Sequence, residues 1–135
     1  MNGRESALDD QAITVASFDF PESKLLAEIY GQALEAGGFD VLLEHGLGPR
    51  ELVQPALAGG LVEFVPEYSG TALEFLSLGA GEPTSDAAAT RSALRRVVDD
   101  DRIVALAPAP AQDANAVVVT GEVADRYDLH DISDL

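Results

Sequence analysis

The stretch LVEFVPEYSGTAL, residues 61–73, decides the fold of this chain. Residues 61–65 form an apolar run typical of a short buried strand, and Pro66 breaks it because proline has no backbone N–H to donate. A turn that carries Tyr68 follows, and a helix is predicted to open at or just after Gly70. Binding residues in α/β sheets gather at such corners, at the carboxyl end of a strand.

Two interpretations of this corner stay open. Tyr68 and Thr71, beside the free backbone N–H groups of a helix start, provide contacts for a small polar or charged ligand. Alternatively, the corner is an ordinary strand-to-helix loop in which Tyr68 covers the end of the core. Spacing alone favours the ordinary loop over the ligand site.

Length and composition predict one folded domain. A chain of 135 residues with 47% hydrophobic content is large enough to bury a core. Its apolar runs are too short to cross a bilayer. The beginning has no apolar centre of the kind found in signal peptides, so residues 1–12 are interpreted as a flexible leader. The lack of cysteine excludes disulfides, thiolate metal sites and thiol catalysis.

The chain is strongly acidic, with 24 acidic against 8 basic residues and a formal net charge of −16. This balance argues against binding to nucleic acid or to an anionic membrane surface. It is compatible with a cationic ligand or simply with solubility, because the acidic residues are spread along the sequence. The dense run at residues 99–101 is interpreted as a solvated loop.

Strands and helices are predicted to alternate in the first half. Strands are expected at residues 13–18, 39–43 and 61–65, where β-branched and apolar residues cluster. Helices between them are expected to open at Pro21 and at Pro49, which suits the first helical position. This alternation with short connections is typical of an α/β fold with a parallel sheet flanked by helices.

Details within these helices are predicted as well. The apolar face of the first helix is expected to consist of residues at helical spacing: Leu25, Leu26, Ile29, Ala33 and Leu34. Gly46 and Gly48 are expected to form the turn before the second helix. Pro55 is expected to produce a kink or a short 3₁₀ stretch inside it.

The second half is predicted to contain shorter elements. They are, in order, a helix over residues 71–78, a helix over 86–98, a strand over 103–106, a strand over 116–119 and a helix over 120–127. A proline-rich extended crossover separates the two strands. Ser133 and Asp134 predict a further helix start. A chain that stops there is expected to be cut, or to need another chain to complete its fold.

Patterns for catalysis and metal binding are missing from the sequence. His45 and His130 are isolated and lack metal-ligand spacing. No nucleophile elbow, P-loop or dinucleotide fingerprint is present. A phosphoacceptor receiver domain is excluded because the only lysine, Lys24, falls in the first predicted helix. We therefore predict no enzyme activity, no catalytic residue, no cofactor and no metal site.

Several segments in order resemble the substrate-binding proteins of osmoprotectant ABC transporters, of the glycine betaine, carnitine and choline type. The segments are ITVASFDFPES, LLAEIYGQALEAGGFDV, LGPRELVQPALAGGLVEFVPEYSGTAL and APAQDANAVVVTGEVADRYDLHDISDL. The resemblance covers residues 13–135 and is weakest at residues 82–101. PEYSGTA and the segment from AQDANA onward are its most specific parts.

The resemblance implies a periplasmic-binding-protein fold of the second type. Such proteins bind a small quaternary ammonium compound between two lobes, outside the cytoplasm, and deliver it unchanged to an ABC permease. Residues 13–107 match the first lobe, and residues 108–135 match the crossover and the start of the second. Family members are considerably longer, so we expect either a truncated chain or a half-size protein completed by a segment-exchanged homodimer.

The resemblance also implies a ligand site. A quaternary ammonium group cannot donate a hydrogen bond and is held by aromatic faces through cation–π attraction. Tyr68 matches one wall of the family's aromatic cage, Thr71 matches a position that bonds the ligand's polar end, and Ser17 matches the serine of an early loop. The crossover turn, with Asp113 and Asn115, matches the second contact loop.

Two departures from the family pattern bear on the ligand. Asn115 replaces a cage tyrosine, and Phe18 stands where a lysine is common. Phe18 either restores an aromatic wall or only packs, and Asp113 either pairs with a cation or caps a turn. The departures weaken the case for glycine betaine and leave choline, or a different polar cation, more open. With three tyrosines and no tryptophan, a complete cage needs the missing half or a second copy.

The alternative function is a folded half-protein that self-associates and binds no small ligand by itself.

Overall fold

The computed structural model describes residues 12–81, 83–98, 102–114 and 116–135. The elements, in order, are β1 (Ile13–Phe18), α1 (Pro21–Ala36), β2 (Val41–Gly48), α2 (Arg50–Ala58), α3 (Ser69–Leu76), α4 (Ala87–Val98), α5 (Gly121–Tyr127) and a closing 3₁₀ turn (Ile132–Asp134). The predicted leader, apart from Ala12, and the acidic run at 99–101 lie outside these ranges. No helix in the described part is both long and apolar enough to span a membrane.

Strand β1 is the centre of the sheet. It pairs in parallel with β2, from Ile13 opposite Val41 to Phe18 opposite Gly48. All residues from 15 to 18 are buried. Because consecutive side chains of a strand point to opposite faces, β1 is covered on both faces. The predicted α/β class and the parallel pairing are confirmed.

The predicted strand at residues 61–65 is reduced to a single parallel bridge between Val15 and Phe64. Phe64 donates its N–H to the carbonyl of Thr14, 3.1 Å, and accepts from Ala16 N, 2.9 Å. The next bond of a parallel ladder would need an N–H at Pro66, which proline lacks. The prediction of a full strand is therefore wrong.

A side chain ends this ladder at its other end. The Glu63 carboxylate accepts a hydrogen bond from the backbone N–H of Thr14, 2.7 Å, where a backbone carbonyl would extend the pairing. Ile13 N bonds to Asp40 O, 2.8 Å, at the start of the β2 pairing. Because successive residues of a strand direct their backbone groups to opposite edges, the Phe64 segment and β2 flank β1 on its two sides.

Helix α1 turns small residues toward the sheet. Its buried residues follow a four-residue spacing: Ser23, Ala27 and Gly31. A β-carbon added at Gly31 would come within 2.8 Å of Leu43 Cδ2, so the helix approaches β2 closely. Leu25 and Ile29 are 60% and 53% exposed, so the predicted apolar face is wrong for them. Gly37 is the C-cap of the helix.

The predicted turn at Gly46 and Gly48 is a bulge inside a longer strand. Strand β2 begins at Val41 and continues to Gly48, and the register with β1 shifts between Ala16 and Phe18. Gly46 and Gly48 have φ values of +67° and +133°, which favour glycine because it has no β-carbon. The bulge re-aims the end of β2 toward α2.

Helix α2 starts one residue later than predicted, with Pro49 as its N-cap and Arg50 as its first residue. The helix stays α-helical through Pro55, so the predicted 3₁₀ stretch is wrong. The missing N–H of Pro55 leaves the carbonyl of Glu51 without its helical donor. Glu51 is exposed, so water can satisfy that carbonyl.

Helices α3 and α4 form a second core. Its buried residues are Ala72, Leu73, Leu94 and Val98, with Ile103 and Ala105 packed against them. Asp86 caps α4, since its Oδ1 accepts from the amides of Ala88 and Ala89, at 2.9 and 3.1 Å. Residues 103–106 carry no strand, contrary to the prediction. The Nε of Arg91 donates a hydrogen bond to the backbone carbonyl of Leu106, 2.7 Å. A β-ladder would need that carbonyl as an acceptor.

We call residues 106–135 the C-terminal segment. Every described residue from 106 to 122 is exposed, and the predicted strand at 116–119 is not formed because these residues have no strand partner in the described part of the chain. Helix α5 is confirmed, with Thr120 as its N-cap, but it buries no residue. The closing 3₁₀ turn is capped by Asp131, with Asp134 completing the capping box, rather than by Ser133.

Candidate functional site

Several chain segments meet at the carboxyl end of β1. They are the β1–α1 connection, the end of β2 with the start of α2, the turn before α3, and α3 itself. All of these segments except the turn before α3 border an open groove of about 440 Å³, which we call the aromatic groove. It is lined by Phe18, Asp19, Phe20, Gly48, Pro49, Arg50, Glu51 and Phe75.

Three aromatic rings form a continuous wall, in which Phe18 and Phe20 line the groove and Tyr68 adjoins Phe20. The rings of Phe18 and Phe20 are nearly parallel, with an interplanar angle of 3° and centroids 6.0 Å apart. Tyr68 lies beside Phe20, 6.0 Å away and tilted by 40°. Phe18 is 3% exposed and Phe20 is 40% exposed. The accessible ring surface therefore belongs to Phe20 and the half-buried Tyr68, and Phe18 supports them from behind.

Arg50 joins the elements around this wall. Its Nε donates to Glu67 Oε2 at 3.0 Å and its Nη2 donates to Glu67 Oε1 at 2.7 Å. Its guanidinium carbon lies 5.0 Å from the Phe18 ring centroid and 5.9 Å from that of Phe75. Both members of the ion pair are 18% exposed. The hydrogen bond to Glu67 raises the pKa of Arg50, so the guanidinium stays charged.

Tyr68 is fixed at both ends. Its backbone N–H donates to Glu67 Oε1, 2.7 Å, and its hydroxyl donates to Glu22 Oε1 at the start of α1. Burial raises the pKa of the Tyr68 hydroxyl well above its ordinary value, and the bond to Glu22 and the charges of Glu22, Asp113 and Glu67 raise it further. The hydroxyl therefore stays protonated and keeps donating to Glu22.

The charges around the groove are unequal. Asp19 pairs with Lys24 at 2.7 Å, and Arg50 pairs with Glu67. Glu22 and Glu51 have no ion pair within the described residues. The region therefore keeps an excess of negative charge, which favours a cationic ligand over an anionic one.

The structure brings four of the predicted ligand residues to this corner. Phe18 and Tyr68 belong to the aromatic wall. Thr71 is exposed in the first turn of α3, where the first helical bond, from Ala72 N to Tyr68 O, leaves the preceding amides without helical acceptors. Asp113 is exposed, and its charge acts on Tyr68.

The other two predicted residues differ in position. Ser17 is fully buried, and its Oγ accepts a hydrogen bond from the backbone N–H of Gly46, 2.8 Å. This contact holds the β2 bulge in place. Asn115 lies outside the described residues. The ligand role assigned to each of the six residues stays a prediction.

Sequence reasoning missed Phe20, Glu22, Arg50 and Phe75. Phe20 carried a signal, because a second large aromatic side chain two residues after Phe18 is unusual in a polar strand-to-helix connection. Glu22 gave a weaker signal, since an acidic residue in the first turn of a helix is already explained by the helix dipole. Arg50 and Phe75 gave no local signal, since their contacts join residues that are distant along the chain.

Comparison with known proteins identifies the class to which this site belongs. Residues 11–135 match the family described as the substrate binding domain of the ABC-type glycine betaine transport system. The chain belongs to this family, whose members are solute-binding transport proteins and not enzymes. The predicted family resemblance is thus confirmed.

Individual relatives agree with the family. A glycine-betaine-binding protein of Pseudomonas aeruginosa is 26% identical over 125 residues, which covers 93% of this chain and 39% of the relative. The glycine betaine-binding protein YehZ of Escherichia coli is 26% identical over 115 residues, with coverage of 84% and 38%. The chain therefore spans less than half the length of the curated relatives it matches.

A solved structure shares the fold. Apo YehZ from Escherichia coli superposes with a TM-score of 0.72 at 25% sequence identity, covering 91% of this chain and 44% of YehZ. The mixed α/β architecture, with its small parallel sheet and flanking helices, is therefore one that a glycine betaine-binding protein also has.

Proposed function

We propose that this chain is the solute-binding component of an ABC importer and binds a quaternary ammonium osmoprotectant of the choline or glycine betaine type. The ligand is bound at the aromatic groove without chemical conversion and is handed to the permease subunit. The observation that carries the proposal is the wall of Phe20 and Tyr68, backed by Phe18, in a chain of the glycine betaine family.

The chemistry of the wall suits such a ligand. A trimethylammonium group offers a diffuse positive charge and apolar methyl groups, and each aromatic face contributes roughly 0.5–2 kcal/mol to its binding. Phe20 and Tyr68 present ring surface to solvent, and two carboxylates near them lack ion pairs in the described part. The groove therefore offers aromatic attraction and negative potential together.

The remaining predicted residues complete the proposed site. Thr71, with the amides at the start of α3, contacts the polar end of the ligand. Asp113 and Asn115 keep the ligand-contact roles that the family resemblance implies, and Ser17 acts from beneath the wall through the bulge at Gly46. The support for this arrangement is that the charge of Asp113 is among the causes that raise the pKa of Tyr68.

The proposed molecular context follows the family. Residues 13–107 form one lobe of a periplasmic-binding-protein fold of the second type, and residues 108–135 form the crossover and the start of a second lobe. The protein acts outside the cytoplasm, next to its permease. A second lobe, or a second copy in a segment-exchanged homodimer, supplies the rest of the cage.

A second candidate function is a folded half-protein that self-associates and binds no small ligand. Exposed apolar side chains favour it: Phe39 shortly before β2, Leu42 and Leu43 within β2, and Val117, Val118 and Val119 in the C-terminal segment. An unpaired strand edge with apolar side chains promotes association between copies. Sedimentation at micromolar concentration tests this point, and a mass equal to one chain would contradict self-association under either function.

Calorimetric titration tests the ligand proposal. The chain is titrated with choline, glycine betaine, carnitine and proline betaine, and saturable heat is expected with at least one of them. The variant Tyr68→Ala removes the ring that adjoins Phe20 in the aromatic wall and is expected to abolish that heat. Tyr127→Ala, a matched change on the exposed α5, is expected to leave it unchanged.

The opposite results are equally informative. Absence of saturable heat across the panel, from a chain shown to be folded by circular dichroism, would support the half-protein alternative. Equal affinities in the wild type and Tyr68→Ala would place the ligand site elsewhere.

A further inference from the structure

The carboxylate of Glu22 is the group that holds the hydroxyl of Tyr68. Glu22 lies in the first turn of α1, is exposed to solvent, and accepts the Tyr68 hydroxyl across 46 positions of sequence. Among the described residues no ion pair is found for it. Its negative charge therefore acts on Tyr68 and on the adjoining groove without being neutralised in an ion pair of the described residues.

We propose that Glu22 is a specificity-determining residue that makes this site prefer a cationic ligand such as choline over a zwitterion such as glycine betaine. The inference rests on the proposed function, and it adds a choice between two chemical classes of ligand. It follows from the position of the Glu22 carboxylate, from its effect on the Tyr68 ring, and from the pairing of Arg50 with Glu67.

The position of Glu22 matters because of net charge. A cation on the face of the Tyr68 ring lies within one Debye length of the carboxylate, which is about 8 Å at physiological salt. Choline carries a net positive charge and is attracted. Glycine betaine carries a carboxylate as well, so the attraction of its ammonium group is offset by repulsion of its other end.

The hydrogen bond strengthens this preference. A phenol that donates to an ionised carboxylate forms a charge-assisted bond, and its ring becomes richer in electron density. Cation–π attraction arises from the negative face of the ring. Glu22 therefore improves the Tyr68 face for an ammonium group while fixing its orientation beside Phe20.

Arg50 does not offset the preference for a cation, because it is already paired with Glu67. Among the described residues it is the arginine that lines the aromatic groove, and a ligand carboxylate would be expected to bind it. Its Nε and Nη2 groups are already engaged by Glu67 in a bidentate pair, and its faces lie against Phe18 and Phe75. The carboxylate of a zwitterion would have to compete with Glu67, which the structure has already oriented.

The variant Glu22→Gln separates charge from geometry. Its side-chain oxygen can still accept the Tyr68 hydroxyl, but the negative charge is gone. Affinities for choline and glycine betaine are measured by calorimetry in wild type and variant. The wild type is expected to bind choline more tightly. In the variant the choline affinity is expected to fall by roughly 3- to 10-fold, with a change of less than about 2-fold for glycine betaine.

Controls isolate the effect of Glu22. Glu35→Gln removes one charge from the exposed far end of α1 and is expected to leave both affinities unchanged. Glu22→Lys reverses the charge and is expected to move the preference further toward glycine betaine. The preference of the wild type is also expected to weaken as salt rises, because screening acts on charge and not on ring packing.

Distinct outcomes would overturn the inference. Glycine betaine binding as tightly as choline to the wild type would contradict it, as would an unchanged affinity ratio in Glu22→Gln. Either result would leave the proposed function standing, since a ligand would still bind. If the folded wild type bound neither choline nor glycine betaine, the proposed function and this inference would both be overturned.

Discussion

The corner at the end of β1 and the C-terminal segment differ in what fixes them. At the corner, aromatic rings stack, an arginine and a glutamate pair at 18% exposure, and a tyrosine is bonded at both ends. In the C-terminal segment every described residue up to 122 is exposed, and α5 buries nothing. The first region is specified by contacts within the chain, and the second only by local signals.

This difference shows which part of the proposed site is preorganised. Binding residues held in place before the ligand arrives lose little conformational freedom on binding. Phe18, Phe20 and Tyr68 meet this condition. Asp113, in the exposed crossover, does not, so a ligand or a neighbouring lobe would have to order it. The corner is therefore expected to contribute more to ligand affinity than the crossover.

Matched substitutions of valine give the largest expected contrast. Val15 is fully buried in β1, whereas Val118 is 85% exposed. Val15→Ala is expected to lower the free energy of unfolding by about 2–3 kcal/mol, since it removes buried methyl groups and leaves a cavity. Val118→Ala is expected to change it by less than about 0.5 kcal/mol. Urea unfolding measures both.

The contrast would fail if Val118→Ala destabilised the chain as much as Val15→Ala. That result would mean that residues 116–119 are buried in solution, as they would be in a segment-exchanged dimer. Repeating the measurement at several chain concentrations separates this case, because dimer stability depends on concentration.

The ion pairs of the two regions give a smaller contrast. Glu67→Gln leaves Arg50 without its anionic partner in a shielded position, so a loss of about 1–2 kcal/mol is expected. Asp128→Asn removes the partner of His130, but these side chains are 94% and 76% exposed. Asparagine also tolerates the left-handed backbone of residue 128, where φ is +53°. No loss is expected there, and equal losses in urea unfolding would contradict the contrast.

Much of the corner could be predicted from sequence because its signals are local. Pro21 and the paired glycines 37–38 mark the two ends of α1, and the PEYSGTA turn places Tyr68 and the start of α3. These features depend on backbone preferences of single residues. The same kind of signal correctly predicted α5.

What the sequence could not predict depends on contacts between distant residues. The third strand is cut short by the Glu63 carboxylate on Thr14 N, 49 positions away. The prediction misplaces the buried face of α1, because Gly31 lets the helix approach Leu43 closely. The spacing of apolar residues along a helix carries no information about the distance between the helix and the sheet. For the same reason the strand predicted at 116–119 has the right composition but no partner in the described chain.

Removal of helix caps is expected to give the next smaller contrast in unfolding free energy. Asp86 caps α4, which packs in the core, and Thr120 caps α5, which does not. Asp86→Ala is expected to cost about 1 kcal/mol of unfolding free energy. Thr120→Ala is expected to melt part of α5 and reduce helical circular dichroism without moving the urea midpoint. A shift of that midpoint equal to that of Asp86→Ala would show that α5 is coupled to the core.

The smallest effect at neutral pH concerns Tyr68. Burial and the bond to Glu22 raise the pKa of its hydroxyl, so in the folded state the proton is held more tightly than in the unfolded state. The stability that this proton contributes is fully present below the pKa of an unfolded tyrosine, about 10. It is lost as pH rises above that value toward the folded pKa. Tyr68→Phe is expected to remove this alkaline loss.

The matched variant Tyr127→Phe changes an exposed tyrosine of α5 and is expected to keep the alkaline loss of the wild type. Unfolding by urea at several pH values from neutral to alkaline measures the three proteins. If Tyr68→Phe and the wild type lost stability in parallel above pH 10, the Tyr68 hydroxyl would not be bonded to Glu22 in solution. The corner would then be less fixed than its contacts indicate, and its advantage over the crossover in ligand affinity would be correspondingly smaller.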